Sequence, residues 1–204
     1  MMCSRPAAPA LLSLVPTQLR RLLDAPAGIR WLECFAVIWV GGAALPLALA
    51  QRCRDLGIRL APCYGSTETG AMVMALPPQR FLAGAEGCGP ALPHVQLRLD
   101  ASGGALQIKA ASLAMGMLQQ GELQPLPLDQ GWWSSGDRAE LGAEGWQLLG
   151  RLDGAIHSGG ETVFPEQVEQ RLLELARAQG LPVVELLVLP EADPLWGERL
   201  VGLV

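Results

Sequence analysis

Phe35-Ala36-Val37-Ile38-Trp39-Val40-Gly41-Gly42-Ala43-Ala44-Leu45-Pro46 joins an all-apolar run to a glycine turn and then to a helix start. Six residues without a polar side chain are too short for a buried helix and suit a central strand of a parallel sheet, covered on both faces. Gly41-Gly42-Ala43 turns the chain. Pro46 begins a helix that reaches about Leu56, and Gly57 caps it. Ile58–Ala61 is the next strand. Strand, helix, strand in this order implies a parallel pair joined by a right-handed crossover.

Upstream, Leu11–Val15 is a short apolar run. Pro16 suits the first helical position, where its missing N–H costs nothing, and Leu19, Leu22 and Leu23 extend a helix over Pro16–Ala25. Downstream, Pro77-Pro78 breaks the pattern. Beyond it come short alternating strands, Val95–Leu99 and Ala105–Lys109, with Ser102-Gly103-Gly104 as the hairpin turn between them. A further unit begins near Arg151. In it Pro165–Ala178 is a helix with Val168, Leu172 and Leu175 on one face, and Pro182–Leu189 is an apolar strand. The fold class is therefore α/β. A parallel α/β part spans 1–76, a small antiparallel β unit 77–150, and an α+β part 151–204.

The chain has 204 residues, half of them hydrophobic and 17% charged, enough to build a core and too apolar for a disordered chain. Its net charge of −5 gives no basic footprint for nucleic acid. A mean hydropathy of +0.27 fits a membrane protein or a piece of a larger protein whose buried surfaces lack their partners. Trp31–Ala50 is the one candidate membrane span, and Glu33, Gly41-Gly42 and Pro46 interrupt it, so no membrane span is expected. Met1–Pro9 has no long apolar stretch and does not read as a signal peptide. Cys3, Cys34, Cys53, Cys63 and Cys88 are odd in number and form no C-x-x-C; the only histidines are His94 and His157. This pattern argues against zinc and for reduced thiols in a cytoplasmic protein, with Cys34, Cys53 and Cys63 as small core residues.

Three places can carry chemistry. Tyr64-Gly65-Ser66-Thr67-Glu68-Thr69-Gly70 follows a strand, where ligands of open α/β sheets collect. Thr67 can hydrogen-bond phosphate oxygens and Glu68 can hold Mg²⁺, a hard cation that takes oxygen ligands. The same residues also read as an ordinary polar turn. Gly131-Trp132-Trp133-Ser134-Ser135-Gly136-Asp137 offers a carboxylate that can accept bonds from two ribose hydroxyls, or a solvated turn. Gly150-Arg151-Leu152-Asp153-Gly154, followed by Ile156-His157-Ser158-Gly159-Gly160-Glu161, offers a cation for ribose or phosphate and a hinge at Asp153, or a surface ion pair and a tight turn. His94 and His157 read as bystanders.

Taken together, in this order and at these separations, the three segments resemble the adenylate-forming superfamily of acyl-CoA ligases. Tyr64–Glu68 is similar to its Y-G-x-T-E signature, Ser135-Gly136-Asp137 to [ST]-G-D, Gly150–Asp153 to G-R-x-D, and Gly160–Glu169 to G-x-x-[IV]-x-P-x-x-[IV]-E. Ser13–Leu19, Gly41–Pro46 and the run Lys109–Ala114 with Met115-Gly116 resemble the o-succinylbenzoate–CoA ligases within it.

The resemblance implies ATP-dependent activation of a carboxylate, then thioester formation with CoA, with Mg²⁺ as the ion. It also implies the roles. Tyr64, Gly65, Ser66 and Thr67 would contact the nucleotide, and Glu68 would ligate Mg²⁺. Asp137 and Arg151 would hold the ribose, and Asp153 would be the hinge. Gly159 and Gly160 would line the CoA tunnel. Gly42 and Ala43 would border the adenine and acyl pocket, and Ser13 would face the acyl group, o-succinylbenzoate by the nearer resemblance.

Two departures go with it. No Gly- and Ser/Thr-rich loop ending in Lys precedes Ser13, and the only lysine is Lys109. The expectation is a piece of a ligase with little adenylation activity by itself, self-associating through an exposed apolar sheet edge. Another acyl-CoA ligase, or a remnant that binds AMP or a CoA ester without catalysis, is the alternative.

Overall fold

The computed structural model describes residues 9–101 and 104–204. The readings at Met1–Pro9 fall almost entirely outside these residues, as do Cys3 and the turn residues Ser102 and Gly103. The first elements are β1 (Ala10–Leu14), α1 (Pro16–Leu23), α2 (Pro26–Leu32), β2 (Phe35–Val40), α3 (Leu47–Asp55), β3 (Leu60–Gly65), β4 (Met72–Ala75) and α4 (Pro78–Leu82). They form a sheet of order β1-β2-β3-β4, in which β2 pairs parallel with both β1 and β3, and β4 closes antiparallel on β3. The run 35–40 is thus an inner parallel strand, as its unbroken apolar sequence requires.

Leu19, Leu23, Leu32, Ile38, Leu49, Cys53, Ile58, Leu60 and Phe81 make one buried cluster between the helices and this sheet. Arg59 fastens the start of β3 to the start of β2. Its Nε donates to the Phe35 carbonyl at 3.0 Å and its Nη2 to the Glu33 carbonyl at 3.0 Å. Arg54, at the end of α3, donates to the Phe81 and Ala85 carbonyls and lies 4.7 Å over the Phe81 ring, holding α4 to the same core.

The strand expected at Ile58–Ala61 starts two residues later and runs on through Gly65. Helix α3 ends in a Schellman cap: the Gly57 N–H donates to the Arg54 carbonyl and the Ile58 N–H to the Cys53 carbonyl, with Gly57 at φ +66. Ile58 is therefore still occupied by the helix end. Cys53 is buried and Cys63 partly so, but Cys34 is half-buried rather than a core residue.

Next in the chain are β5 (Val95–Leu99), β6 (Ala105–Ala110), β7 (Gly116–Gln119), β8 (Glu122–Pro125), β9 (Leu128–Asp129), β10 (Trp132–Gly142) and β11 (Gly145–Arg151). A sheet of order β11-β10-β6-β5 has β9 paired to β10, and β7 and β8 form a separate hairpin. The last elements are β12 (Ile156–Ser158), β13 (Glu161–Val163), α5 (Pro165–Ala178), β14 (Leu187–Asp193) and β15 (Gly197–Leu203), with sheet order β13-β12-β15-β14. Mixed α/β architecture with one parallel-containing sheet and antiparallel sheets is the class expected.

One expectation in this last region needs correction. The apolar run Pro182–Leu189 is strand only from Leu187. A second Schellman cap, Gly180 N–H to Arg177 carbonyl and Leu181 N–H to Ala176 carbonyl, delivers the chain to Pro182. Leu187 pairs with Leu203, so 182–186 lie beyond the paired length. On α5, Leu172 and Leu175 are 42% and 41% exposed and Ala176 is the buried residue, so the leucine stripe is not the covered face.

The chain separates into two compact units that interleave in sequence. One takes the chain to Arg98 together with Ile108–Trp133 and Leu141–Gln147. The other takes Leu99–Gln107, Ser134–Glu140 and Leu148–Val204. No described helix is long and apolar enough to cross a membrane.

Candidate functional site

In the first unit the parallel register places one group of predicted residues at the carboxyl ends of three strands. Leu14 faces Val40 and Val40 faces Pro62, so the residues that follow on β1, β2 and β3 emerge at one end of the sheet. Ser13 lies at the end of β1, exposed, on the face opposite Leu12 and Leu14. The Gly41 N–H continues the ladder to the Leu14 carbonyl at 3.2 Å. A side chain at Gly41 would start 2.9 Å from Cys63 Sγ, and Gly42 has φ +79. Glycine is thus required where β2 passes β3, and Gly42, with Val15 as its nearest neighbour, and Ala43 follow.

The segment Tyr64–Gly70 is not a plain loop after a strand, because Tyr64 and Gly65 complete β3 opposite Met74 and Met72. A Cβ on Gly65 would lie 2.2 Å from the Ala71 carbonyl oxygen. The turn that follows is organised by Thr69, which is fully buried. Its Oγ1 accepts from the Ser66 N–H at 2.8 Å and lies within donating distance of the Ser66 and Ala71 carbonyls, at 2.9 and 2.7 Å. Thr69 carried no predicted role. Its signal in the sequence was a third hydroxyl three residues after Ser66, the spacing of a side-chain-closed turn.

Pinned in this way, the turn leaves Thr67 exposed at its tip. The Glu68 carbonyl accepts from the Ala114 N–H at 2.7 Å, and Gly70, at φ +72, sits against the Ser112 carbonyl. Ser66 Oγ is shielded from solvent and has no hydrogen-bond partner. Leaving a buried hydroxyl unsatisfied costs free energy. Among the described residues no cluster of three His, Cys, Asp or Glu could hold a metal. A lone carboxylate such as Glu68 can ligate Mg²⁺ only alongside oxygens brought by a ligand.

The second unit holds the other predicted residues. Arg151, at the end of β11, donates twice to Asp153: Nε to Oδ1 at 2.9 Å and Nη2 to Oδ2 at 2.8 Å. Its Nη1 lies 3.6 Å from Asp137 Oδ1 and 3.4 Å from the Ser135 carbonyl. The Arg151 hydrogen bond, followed by weaker contributions, holds the Asp153 carboxyl below its ordinary range. Gly136, at φ +74, lies under the guanidinium, 3.5 Å from Nη2 to where a Cβ would stand.

Ser135 does more than its place in a motif suggests. It is buried, donates to the Leu106 carbonyl at 3.1 Å, and accepts from the Asp137 N–H at 3.1 Å, which fixes where Asp137 points. Asp137 itself is 15% exposed and Asp153 is 70% exposed. Asp153 sits in a single helical turn, Leu152–Gly154, between β11 and β12.

Gly159 and Gly160 form the two-residue turn between β12 and β13, with Ser158 facing Glu161 and both glycines at positive φ, +58 and +86. This is the backbone of a tight hairpin turn. Gly159 lies under the Trp196 ring, 2.5 Å from where its Cβ would be, and its N–H donates to the Trp196 carbonyl at 2.8 Å. His157 is tied into the hairpin: its N–H donates to Glu198 and its ring faces Thr162. Of the predicted residues, Ser13, Gly42, Ala43, Tyr64, Gly65, Ser66, Thr67 and Glu68 belong to the first unit. Asp137, Arg151, Asp153, Gly159 and Gly160 belong to the second.

The sequence profile of a family described as AMP-binding enzyme matches residues 7–117. The 2-succinylbenzoate–CoA ligase of Escherichia coli K12 is 33% identical over 192 residues, covering 94% of this chain and 39% of that protein. The Haemophilus influenzae enzyme of the same name is 34% identical over 195 residues, covering 94% and 40%. Among solved structures, E. coli MenE with a phenylether-linked analogue of OSB-AMS matches with TM-score 0.75 and 34% identity, over 96% of this chain and 41% of that one. Bacillus subtilis MenE in complex with ATP and magnesium matches with TM-score 0.75 and 26% identity, over 95% and 41%. The chain thus spans about two-fifths of the length of the curated relatives it matches.

Proposed function

The chain belongs to the AMP-binding enzyme family, and from that membership we propose that it is part of an AMP-forming acyl-CoA ligase acting on o-succinylbenzoate. The observation that carries the reading is the set of strand ends at Ser13, Gly42 and Tyr64–Glu68, in a chain similar over 94% of its length to 2-succinylbenzoate–CoA ligases. The substrate carboxylate attacks the ATP α-phosphorus, forming acyl-adenylate and expelling pyrophosphate. The CoA thiol then attacks the acyl carbon, forming the thioester and releasing AMP. Menaquinone or phylloquinone biosynthesis is the route such a thioester feeds. Because ATP and CoA are its co-substrates, the reaction belongs in the cytoplasm.

Charge gathers on phosphate oxygens in the first step, so donors fixed in advance lower its barrier. Thr67 and Ser66 supply hydroxyls on a turn already closed by Thr69. Glu68 would hold the Mg²⁺, which when bound would screen the phosphate charge. Tyr64 stacks near the adenine. Asp137 takes the ribose hydroxyls, with Arg151 assisting beside it. Asp153 is the pivot between half-reactions, and Gly159 and Gly160 let CoA pass close to the backbone. The three-part division at 76 and 150 stands in this reading as subdomain, β unit and small domain of the parent enzyme.

Calorimetric titration tests the nucleotide site. Asp137→Asn should weaken AMP binding about tenfold or more, the worth of a charge-assisted hydrogen bond. Glu68→Gln should leave AMP affinity in place and remove the Mg²⁺-dependent part of ATP binding. Unchanged AMP affinity in Asp137→Asn sinks the assignment. These 204 residues alone should show little pyrophosphate exchange with o-succinylbenzoate. A panel of carboxylates on a full-length enzyme separates this substrate from those of other acyl-CoA ligases.

A further inference from the structure

The first unit carries a cavity of about 510 Å³ that none of the residues assigned above to nucleotide, acyl group or CoA lines. It opens on the outward face of β5 and β6. His94 and Gln96 alternate there with buried Val95, and exposed Lys109 follows buried Ile108. Period-two alternation sends the polar residues to one side and the apolar ones into the core.

Cationic groups gather around one aromatic ring beside it. The Arg98 guanidinium lies 4.1 Å from the Trp132 ring centroid and the Lys109 ammonium 5.9 Å, and Lys109 Nζ is 3.4 Å from the Gln130 carbonyl. Gly131, at φ +83, leaves the space into which the Lys109 chain packs. Asp129 is the cross-strand partner of Trp132. The two cations stand out in a chain of net charge −5. Apolar residues line it as well: Leu113, Met115 and Leu128, with Met115 84% exposed and Leu128 49%.

We propose that this face binds a small organic phosphate ester, with its phosphate at Lys109 and His94 and its apolar body against Met115 and Leu128. A lysine is a compact point charge suited to phosphate. An aromatic ring already flanked by cations keeps them oriented. The volume falls in the range of small-ligand clefts. The site does not depend on the nucleotide assignment above.

The test uses ¹H–¹⁵N spectra of the whole chain titrated with 1-naphthyl phosphate, with inorganic phosphate and AMP as separate arms. The Trp132 indole and Gln96 side-chain signals should shift saturably with 1-naphthyl phosphate. Lys109→Met should weaken that binding about tenfold or more. Lys109→Arg should restore most of it and shows that the fold tolerates change there. Met115→Ala should weaken 1-naphthyl phosphate and leave inorganic phosphate unchanged. Asp137→Asn should not affect the shifts at Trp132, which separates this site from that for AMP. No saturable shift at Trp132, equal affinity in Lys109→Met, or inorganic phosphate binding as tightly as its naphthyl ester would each overturn the proposal.

Discussion

Gly65 shows how little freedom a single position has. Its missing side chain lets β3 pass the Ala71 carbonyl, where a Cβ would be 2.2 Å away, well inside contact distance and against backbone that cannot swing aside. Gly65→Ala should cost about 3 kcal/mol or more, the range for forced backbone displacement. In a thermal melt that is a fall of roughly 6–12 °C for a chain of this size.

The Arg151–Asp153 pair gives a second outcome at this scale. The Asp153 carboxyl titrates below its ordinary 3.8 because Arg151 donates to the charged form. A depressed carboxyl stabilises the fold above pH 3.8 and loses that contribution as pH falls through its own lower midpoint. Arg151→Ala should raise the Asp153 midpoint toward 3.8 in an NMR titration; a midpoint that does not move would mean that the pairing is absent in solution. Both residues carry motifs and were legible in sequence. The anchoring work of Thr69 and Ser135 was not, because it is done on backbone. A buried hydroxyl that closes a turn looks, in sequence, like any polar residue in a loop.

Elements were legible where local chemistry and burial agree. Phe35–Val40 and Pro165–Ala178 have the predicted bounds. In the first, an unbroken apolar run matches a strand flanked on both sides; in the second, Pro165 opens the helix and Gly180 follows its end. Boundaries failed where a cap holds the chain past its glycine. Ile58 and Pro182 both follow Schellman closures, so apolar sequence there is not yet strand. Gly57 itself has φ +66, and no atom lies within 4 Å of where a Cβ would stand. Gly57→Ala should therefore cost only about 1 kcal/mol, from backbone conformation alone. Chemical denaturation of that variant beside Gly65→Ala measures strain against strain plus collision. The leucine stripe of α5 shares one face as read, but periodicity identifies an apolar face and does not say what covers it.

At the scale of the molecule, burial controls reactivity. Burial pushes the Cys53 and Cys88 thiols up to about 12, and Cys63 rises as well. Thiolate is the reactive form. At about pH 8, disulfide reagents should label Cys53 and Cys88 about a thousandfold more slowly in the native chain than in denaturant. Fast native labelling of Cys53 would show that the helix layer over β2 and β3 opens readily.

The interleaving of the two units bears on how the chain is made. The α/β core is finished in sequence by α4, yet its unit is completed only by Leu141–Gln147, after a segment that belongs to the other unit has been synthesised. At about 5–20 residues per second a ribosome needs several seconds to cover that distance. Throughout that interval the nascent core waits with its later partners still untranslated, so a chaperone has longest access to the core surface that those partners will cover.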